Sequence, residues 1–287
     1  MIVRMQLTQN FIKAKEPCAA GYRWFLRNQM QGRDYQDMLD ALVAEGRIDD
    51  ACWLMDQFGA TNAVLELDGL ESNALVFAGT LIVRGLAEVD GLLRTGRALH
   101  ATGVRAGNLV VGGELRSDGM VVSGDAIRCG DDLRAQWAVH AVTGIHSAGQ
   151  LRSGWDIEAG GDVTATHLHA GRHIQASGDI RASLGIKSGE DILAGRDVIA
   201  VQGIESGGAI HAGRHLDAGW GIRAQGDIIA DGMIRVGEGV ETEGDLRAGA
   251  SWGVRAGLAV RRDAWEDSAH VRARSRPADL LSGFWVE

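Results

Sequence analysis

Proline, cysteine and aromatic residues are all scarce in this sequence: 2 Pro, 3 Cys and 5% Phe, Trp and Tyr among 287 residues. With so little proline and no Gly-X-Y period, a collagen-type chain is excluded. Cys18, Cys52 and Cys129 are too few and too scattered for a disulfide framework or a paired-cysteine metal site, which fits a reducing cytoplasm. No run of about 18 apolar residues exists, so no membrane-spanning helix is expected. Met1 to Lys15 lacks an apolar signal core with a cleavage site. Positive charge is also short: 29 Lys and Arg against 38 Asp and Glu give a net charge of −9. Generic nucleic-acid binding needs a positive surface that displaces counterions, so no nucleic-acid partner is expected.

Glycine is what the sequence has in excess, with 41 of 287 residues, about twice the usual share. A hydrophobic content of 45% argues against disorder. The aromatic residues divide the chain. Seven lie before residue 62 and three after 264, and only Phe77, Trp137, Trp155, Trp220 and Trp252 lie between. The first part reads as helical. A helix around Ala19 to Gln29 carries Tyr22, Trp24 and Phe25. A second, from Asp34 to Val43, puts Met38, Leu39 and Leu42 on one stripe with acids early and Gly46 as a stop. A third runs from Arg47 to Phe58 and ends at Gly59. Helices this short must pack on something to persist.

The middle of the chain is a six-residue repeat: an aliphatic residue, any residue, a small residue, then three turn residues. Ile174-Gln175-Ala176-Ser177-Gly178-Asp179 and Ile192-Leu193-Ala194-Gly195-Arg196-Asp197 are two copies. Leu65 and Leu70 begin the series. The aliphatic positions run through 75, 81, 87, 93, 99, 104 and 109. From 115 they recur every sixth residue to 163 and from 168 every sixth residue to 246, with Val254 and Val260 as the expected close. In a three-residue strand the first and third side chains face the same way, so Ile and Ala point inward and the middle residue faces solvent. The turns are expected to use positive φ, which Gly adopts cheaply. Gly185, Gly203, Gly221 and Gly239 recur every 18 residues, so three hexads make one coil. The expected fold is mainly β: a triangular parallel β-helix of about eleven coils, ~50 Å long at ~4.8 Å per coil.

The phrases Ala-Gly-Arg-Asp-Val (194–198) and Gly-Gly-Asp-Val-Thr-Ala (160–165) resemble the repeats of filamentous haemagglutinin-type proteins. The three-sided hexad of residues 65 to 260 resembles the bactofilin core and the C-terminal domain of MinC-type division inhibitors, both right-handed β-helices. Left-handed hexapeptide acyltransferases usually place the small residue two positions before the aliphatic one, whereas here it follows by two. The resemblance therefore implies a right-handed coil and speaks for architecture alone, because β-solenoids host many functions. Three units are expected: a helical N-terminal cap or module (1–62), the solenoid (63–260) and a C-terminal cap (261–287). The helices should cover the first coil. Trp265, Leu280, Leu281, Phe284 and Trp285 should cover the last, with Pro277 breaking the ladder. Two caps imply a monomer or small homo-oligomer rather than a filament.

Stacking turns sequence spacing into surface ladders. Middle positions of one face read Arg116, Arg134, Arg152, His169 and Lys187, then Glu205, Arg223 and Glu241. Trp137 and Trp155, 18 residues apart, should stack at one corner, followed by Arg172 and Glu190. Arg116, Arg134, Trp137, Arg152, Trp155, His169, Arg172 and Lys187 are thus the candidate partner surface, since Trp and Arg dominate interface hot spots. The competing reading is a solvated face whose Trp pair shields a corner. Asp162, Asp179 and Asp197 form a corner ladder, and Asp156 and Asp191 flank His173. Such carboxylates more often accept hydrogen bonds from turn amides than bind metal, so no metal is expected. The histidines, His140, His146, His167, His169, His173, His211 and His215 among them, fall at outward or turn positions. None accompanies a catalytic motif.

No loop inside the repeat is long enough to build a pocket, so neither an enzyme nor a cofactor is expected. The expected function is that of a cytoplasmic, non-enzymatic protein-binding protein. Its most specific form is a bacterial immunity or antitoxin protein that neutralises a cognate toxin. A stiff scaffold loses little entropy on binding, and the acidic balance fits a basic partner. The alternatives are a bactofilin-like scaffold assembling end to end and, more remotely, a hexapeptide-type acyltransferase.

Overall fold

The computed structural model describes residues 8–28 and 34–286. Residues 1–7, the Gln29 end of the first expected helix, and Glu287 lie outside the described residues. Four short helices come first: α1 (Gln9–Lys13), α2 (Ala19–Arg27), α3 (Tyr35–Ala44) and α4 (Ile48–Phe58). Gly46 at φ 71° and Gly59 at φ 77° end α3 and α4 in the left-handed region, as their positions suggested. The apolar stripe of α3, with Met38, Leu39 and Leu42, is buried against Ala51, Leu54 and Met55 of α4 and against Trp24 and Phe25 of α2. α1 has no counterpart in the sequence reading, because five residues are too few to display a helical period.

The rest is a parallel β-solenoid of about 12 turns, on the order of 55 Å long at ~4.8 Å per turn. Strands β1 (Val64–Leu67), β2 (Leu70–Ser72) and β3 (Leu75–Phe77) make the first coil. β4 (Thr80–Thr95) and β5 (Leu99–Val111) run as continuous strand round the corners of the next two. Beyond them each coil is three strands, mostly of three residues. On the first face Leu65 pairs with Leu81, Leu81 with Leu99, and Leu99 with Leu115. The second face begins with Leu70 opposite Ala87 and the third with Leu75 opposite Leu93. The first and third residues of each hexad form one continuous core, while the middle residues lie at the surface. Where the third residue is Ser, its hydroxyl reaches turn carbonyls. Ser206 Oγ, for example, lies 2.7 Å from the Glu190 oxygen and 3.2 Å from that of Ala209.

Two expectations change. The hexad turns do not need positive φ, since among the described glycines only Gly46, Gly59, Gly257 and Gly283 have it, all outside those turns. Glycine is required instead by close stacking. A Cβ on Gly154 would lie 1.9 Å from the Gln136 carbonyl oxygen of the preceding coil, and one on Gly219 2.0 Å from that of Val201. The second change is at the far end. Val254 takes its rung opposite Ile234, but Val260 does not take the next. The chain loops out through a short helical stretch (Arg262–Ser268), and Val271 pairs with Val240 instead. Leu280 then pairs with Val254 and Trp285 with Val271, so the tail continues the ladder, and of the residues expected to cover the last coil Leu281 and Phe284 remain exposed. Register depends only on inward residues, so an insertion at a corner leaves the coil intact.

The helical module meets the solenoid at β3. Val76 and Ala78 are buried beneath the helices. The Gln36 side-chain amide donates to the Val76 carbonyl at 2.9 Å, and its oxygen accepts from the Ala78 N–H at 3.0 Å. A side-chain amide thus takes the place of a neighbouring strand. Among the described residues, no helix is long and apolar enough to cross a membrane.

Candidate functional site

Backbone pairing assembles the ladder expected on the first face. Arg116 lies opposite Arg134, Arg134 opposite Arg152, Arg152 opposite His169, and His169 opposite Lys187. Glu205, Arg223 and Glu241 follow in the same column. Parallel register makes these columns unavoidable, because identical hexad positions stack one strand spacing apart.

Trp137 and Trp155 project from the corner that leaves this face. Their rings are stacked at 5.5 Å between centroids and 8° between planes. They remain 49% and 46% exposed. The turn that holds them is anchored from below: the Trp155 N–H donates to the Trp137 carbonyl at 2.9 Å and the Ser153 hydroxyl donates to that same carbonyl. The sequence signal for this anchor is the Ser in place of Ala at the third strand position, which the sequence reading passed over. In the next coil the Arg172 N–H donates to the Trp155 carbonyl at 3.1 Å, and its guanidinium lies 3.6 Å from both Asp156 and Glu190. His173 Nε2 also contacts Glu190, at 2.7 Å.

The ladder is less basic than its sequence suggests. Arg134 is paired with Asp132 at 2.6 Å and Glu114 at 3.4 Å, and Lys187 with Glu205 at 2.7 Å. Burial, with Arg152 and Lys187 on either side, holds the His169 pKa below its ordinary value, so this imidazole is neutral at pH 7. Among the described residues, Arg116 and Arg152 are the ladder cations without a carboxylate partner. Across the face, an open groove of about 460 Å³ is bounded by Gln150, Arg152, His169 and Lys187 and closed on the opposite corner by Trp220. Sequence reading did not connect Trp220 to the ladder, since it lies on the corner that enters the face rather than the one that leaves it.

The corner carboxylates serve the backbone. The Asp179 N–H donates to Asp162 Oδ1 at 2.8 Å, the Asp197 N–H to Asp179 Oδ1 at 3.1 Å, and the His215 N–H to Asp197 Oδ1 at 3.1 Å. Arg181 and Arg196 bind the same carboxylates from outside. The second column repeats the device, with the His173 N–H on Asp156 and the Ala209 N–H on Asp191. Among the described residues no group of three or more His, Cys, Asp or Glu has metal-holding geometry.

Fold and surface define a parallel β-solenoid that carries a small helical module and presents a cation-and-tryptophan face. Residues 5–61, which include the four helices, match the family model described as the YdhT N-terminal domain. No curated protein and no solved structure matches the chain.

Proposed function

We propose that the chain is a non-enzymatic protein that binds another protein through its rigid solenoid surface. The observation that carries this reading is the exposed, stacked Trp137–Trp155 pair beside the guanidiniums of Arg116 and Arg152, which have no carboxylate partner among the described residues. Exposed aromatic surface next to unpaired cations fits an interface hot spot, and a surface fixed by continuous strand pairing spends little entropy on binding. In its most specific form the reading is a cytoplasmic immunity or antitoxin protein whose partner is a cognate toxin. The net charge of −9 and three free cysteines fit that role. The test is co-expression with the product of a neighbouring gene. The chain is expected to rescue growth and co-purify, and a Trp137→Ala/Trp155→Ala variant is expected to do neither. Failure of rescue with no complex overturns the reading.

One observation favours a second reading, a scaffold that assembles end to end. Among the described residues, β1 and β2 each pair on one side only, with β4, whereas the corresponding edge of β3 is taken up by Gln36. Filaments of the purified chain in electron microscopy would establish the scaffold. A single sedimenting species of one or two chains would remove it.

A further inference from the structure

A groove lies on the second face beside a shortened coil, and it arises from missing residues rather than from a loop. From Leu99 to its partner Leu115 the coil has 16 residues instead of 18. The two are lost at consecutive corners, Thr102-Gly103 and Gly107-Asn108, which have two turn residues where the regular hexad has three. On either side of the first short corner the neighbouring turns, 84–86 and 118–120, keep all three. Their last residues, Leu86 and Met120, stand on both sides of a notch of about 300 Å³ floored by Thr102 and Gly103. A Cβ on Gly103 would lie 2.7 Å from Leu86 Cδ2, so the leucine leans across the glycine.

The notch is apolar along its rim and acidic beyond it. Leu86 is 57% exposed and Met120 41% exposed, and with Trp137 they line one pocket that Trp155 extends along the same corner. Beyond the corner a shallow groove of about 850 Å³ crosses the second face. Its charged residues are Glu71, Glu88 and Asp90 against Arg105, with His140 at its far end. Arg105 lies 3.7 Å from Glu88, among the described residues no cation pairs with Glu71 or Asp90, and Asp118 adds a further acid at the notch. The corner built from Leu86, Met120 and Trp137 therefore lies between the first face and an acidic depression on the second.

We propose that this notch and groove seat an extended, cationic segment of a partner protein, with one apolar side chain between Leu86 and Met120 and basic side chains over Glu71, Glu88 and Asp90. The inference rests on the protein-binding reading and assigns it a surface and a partner chemistry. Charge complementarity selects the occupant. An acidic segment is repelled by the carboxylates, and a neutral one leaves them without a counter-charge on desolvation. An extended backbone fits because the notch is one corner wide, too narrow for a helix about 10 Å across.

The test titrates the full-length protein with three synthetic 12-residue peptides at physiological ionic strength: alternating Lys/Val, Lys/Gly and Glu/Val. The readouts are calorimetry and tryptophan fluorescence. The Lys/Val peptide is expected to bind and perturb the fluorescence, with the other two at least tenfold weaker. Glu88→Lys and Met120→Ser, both exposed, and Val122→Arg, which puts a cation in the groove, should each weaken binding at least tenfold while the melting curve stays unchanged. Glu243→Lys, an equal charge change on an exposed turn at the far end of the solenoid, should not weaken it. The proposal is overturned by no binding of Lys/Val, by equal binding of Lys/Gly or Glu/Val, or by indifference to all three groove substitutions. A partner complex that survives Glu88→Lys and Met120→Ser but is lost in Trp155→Ala with Arg152→Glu would overturn the groove and leave the protein-binding reading standing.

Discussion

Replacing Gln36 by Ala should open one end of the ladder, and only that end. The Gln36 amide makes two hydrogen bonds to β3, to the Val76 carbonyl at 2.9 Å and from the Ala78 N–H at 3.0 Å. Val76 and Ala78 are both fully buried. Two net hydrogen bonds are worth ~1 kcal/mol each, and each group left unsatisfied in a buried site costs ~1–3 kcal/mol. Water entering the space left by the side chain recovers part of this, so a local loss of about 2–3 kcal/mol is expected. At ~1.4 kcal/mol per tenfold, that is about 30- to 140-fold faster exchange of the Ala78 amide. A solenoid is quasi-one-dimensional, so the loss should be confined to the helical module and the first coils. Hydrogen exchange with mass spectrometry reads both quantities. Gln36→Glu sharpens the test because it keeps an acceptor for Ala78 but removes the donor to Val76, and it sets a carboxylate beside Asp40, which Gln36 now contacts at 2.7 Å. Unchanged exchange at 76–78 in Gln36→Ala would show that Gln36 does not close the edge. Equal acceleration around Ile192 would show that the coils do not respond independently.

Three more outcomes follow from the geometry. Gly154→Ala should cost several kcal/mol, at the scale of an overpacked core of about 1–3 kcal/mol or above, because its Cβ would fall 1.9 Å from a carbonyl oxygen. Gly221→Ala, whose nearest neighbour is at 3.3 Å, should cost under about 1 kcal/mol; equal denaturation midpoints would refute the close-stacking account of the turns. Because the folded state holds the His169 pKa below 6.5, the unfolded chain takes up the proton first as pH falls. The stability contributed by the neutral imidazole is therefore present above 6.5 and is lost progressively below it. His169→Gln should flatten urea midpoints between pH 7.5 and 5, and Lys187→Met should raise the His169 pKa in an NMR titration. Burial pushes the Cys129 thiol up to about 11, so at pH 7.5 a maleimide should label exposed Cys18 within minutes and leave Cys129 unmodified until unfolding.

The period-six pattern was enough to place almost every inward residue from Leu65 to Val254, because burial in a three-residue strand follows the pleat and tolerates no slip. The cation column and the Trp stack were legible for the same reason: 18-residue spacing becomes adjacency once the coil closes. The charge state of that column was not. Asp132 and Glu114 neutralise Arg134 from neighbouring turn and strand-entry positions, and Glu205 reaches Lys187 from the next coil. The missing residues at 99–109 could be counted in sequence, but the depression they produce depends on Leu86 and Met120 standing on full-length turns beside them.

By itself the sequence determined the coil, its register and the columns on its faces, since a strict hexad permits one arrangement of inward and outward residues. It also marked both ends by the return of aromatic residues. Tertiary structure alone decided what the glycines are for, how the edge of β3 is closed, and where the surface is indented. Glycine is needed where one coil's carbonyl presses on the next, a distance no local pattern encodes. Gln36 closes β3 across a separation of 40 residues. The tail abandons the hexad after Val254 and still regains the ladder at Val271, Leu280 and Trp285, because strand pairing selects inward side chains and is indifferent to the length of chain between them.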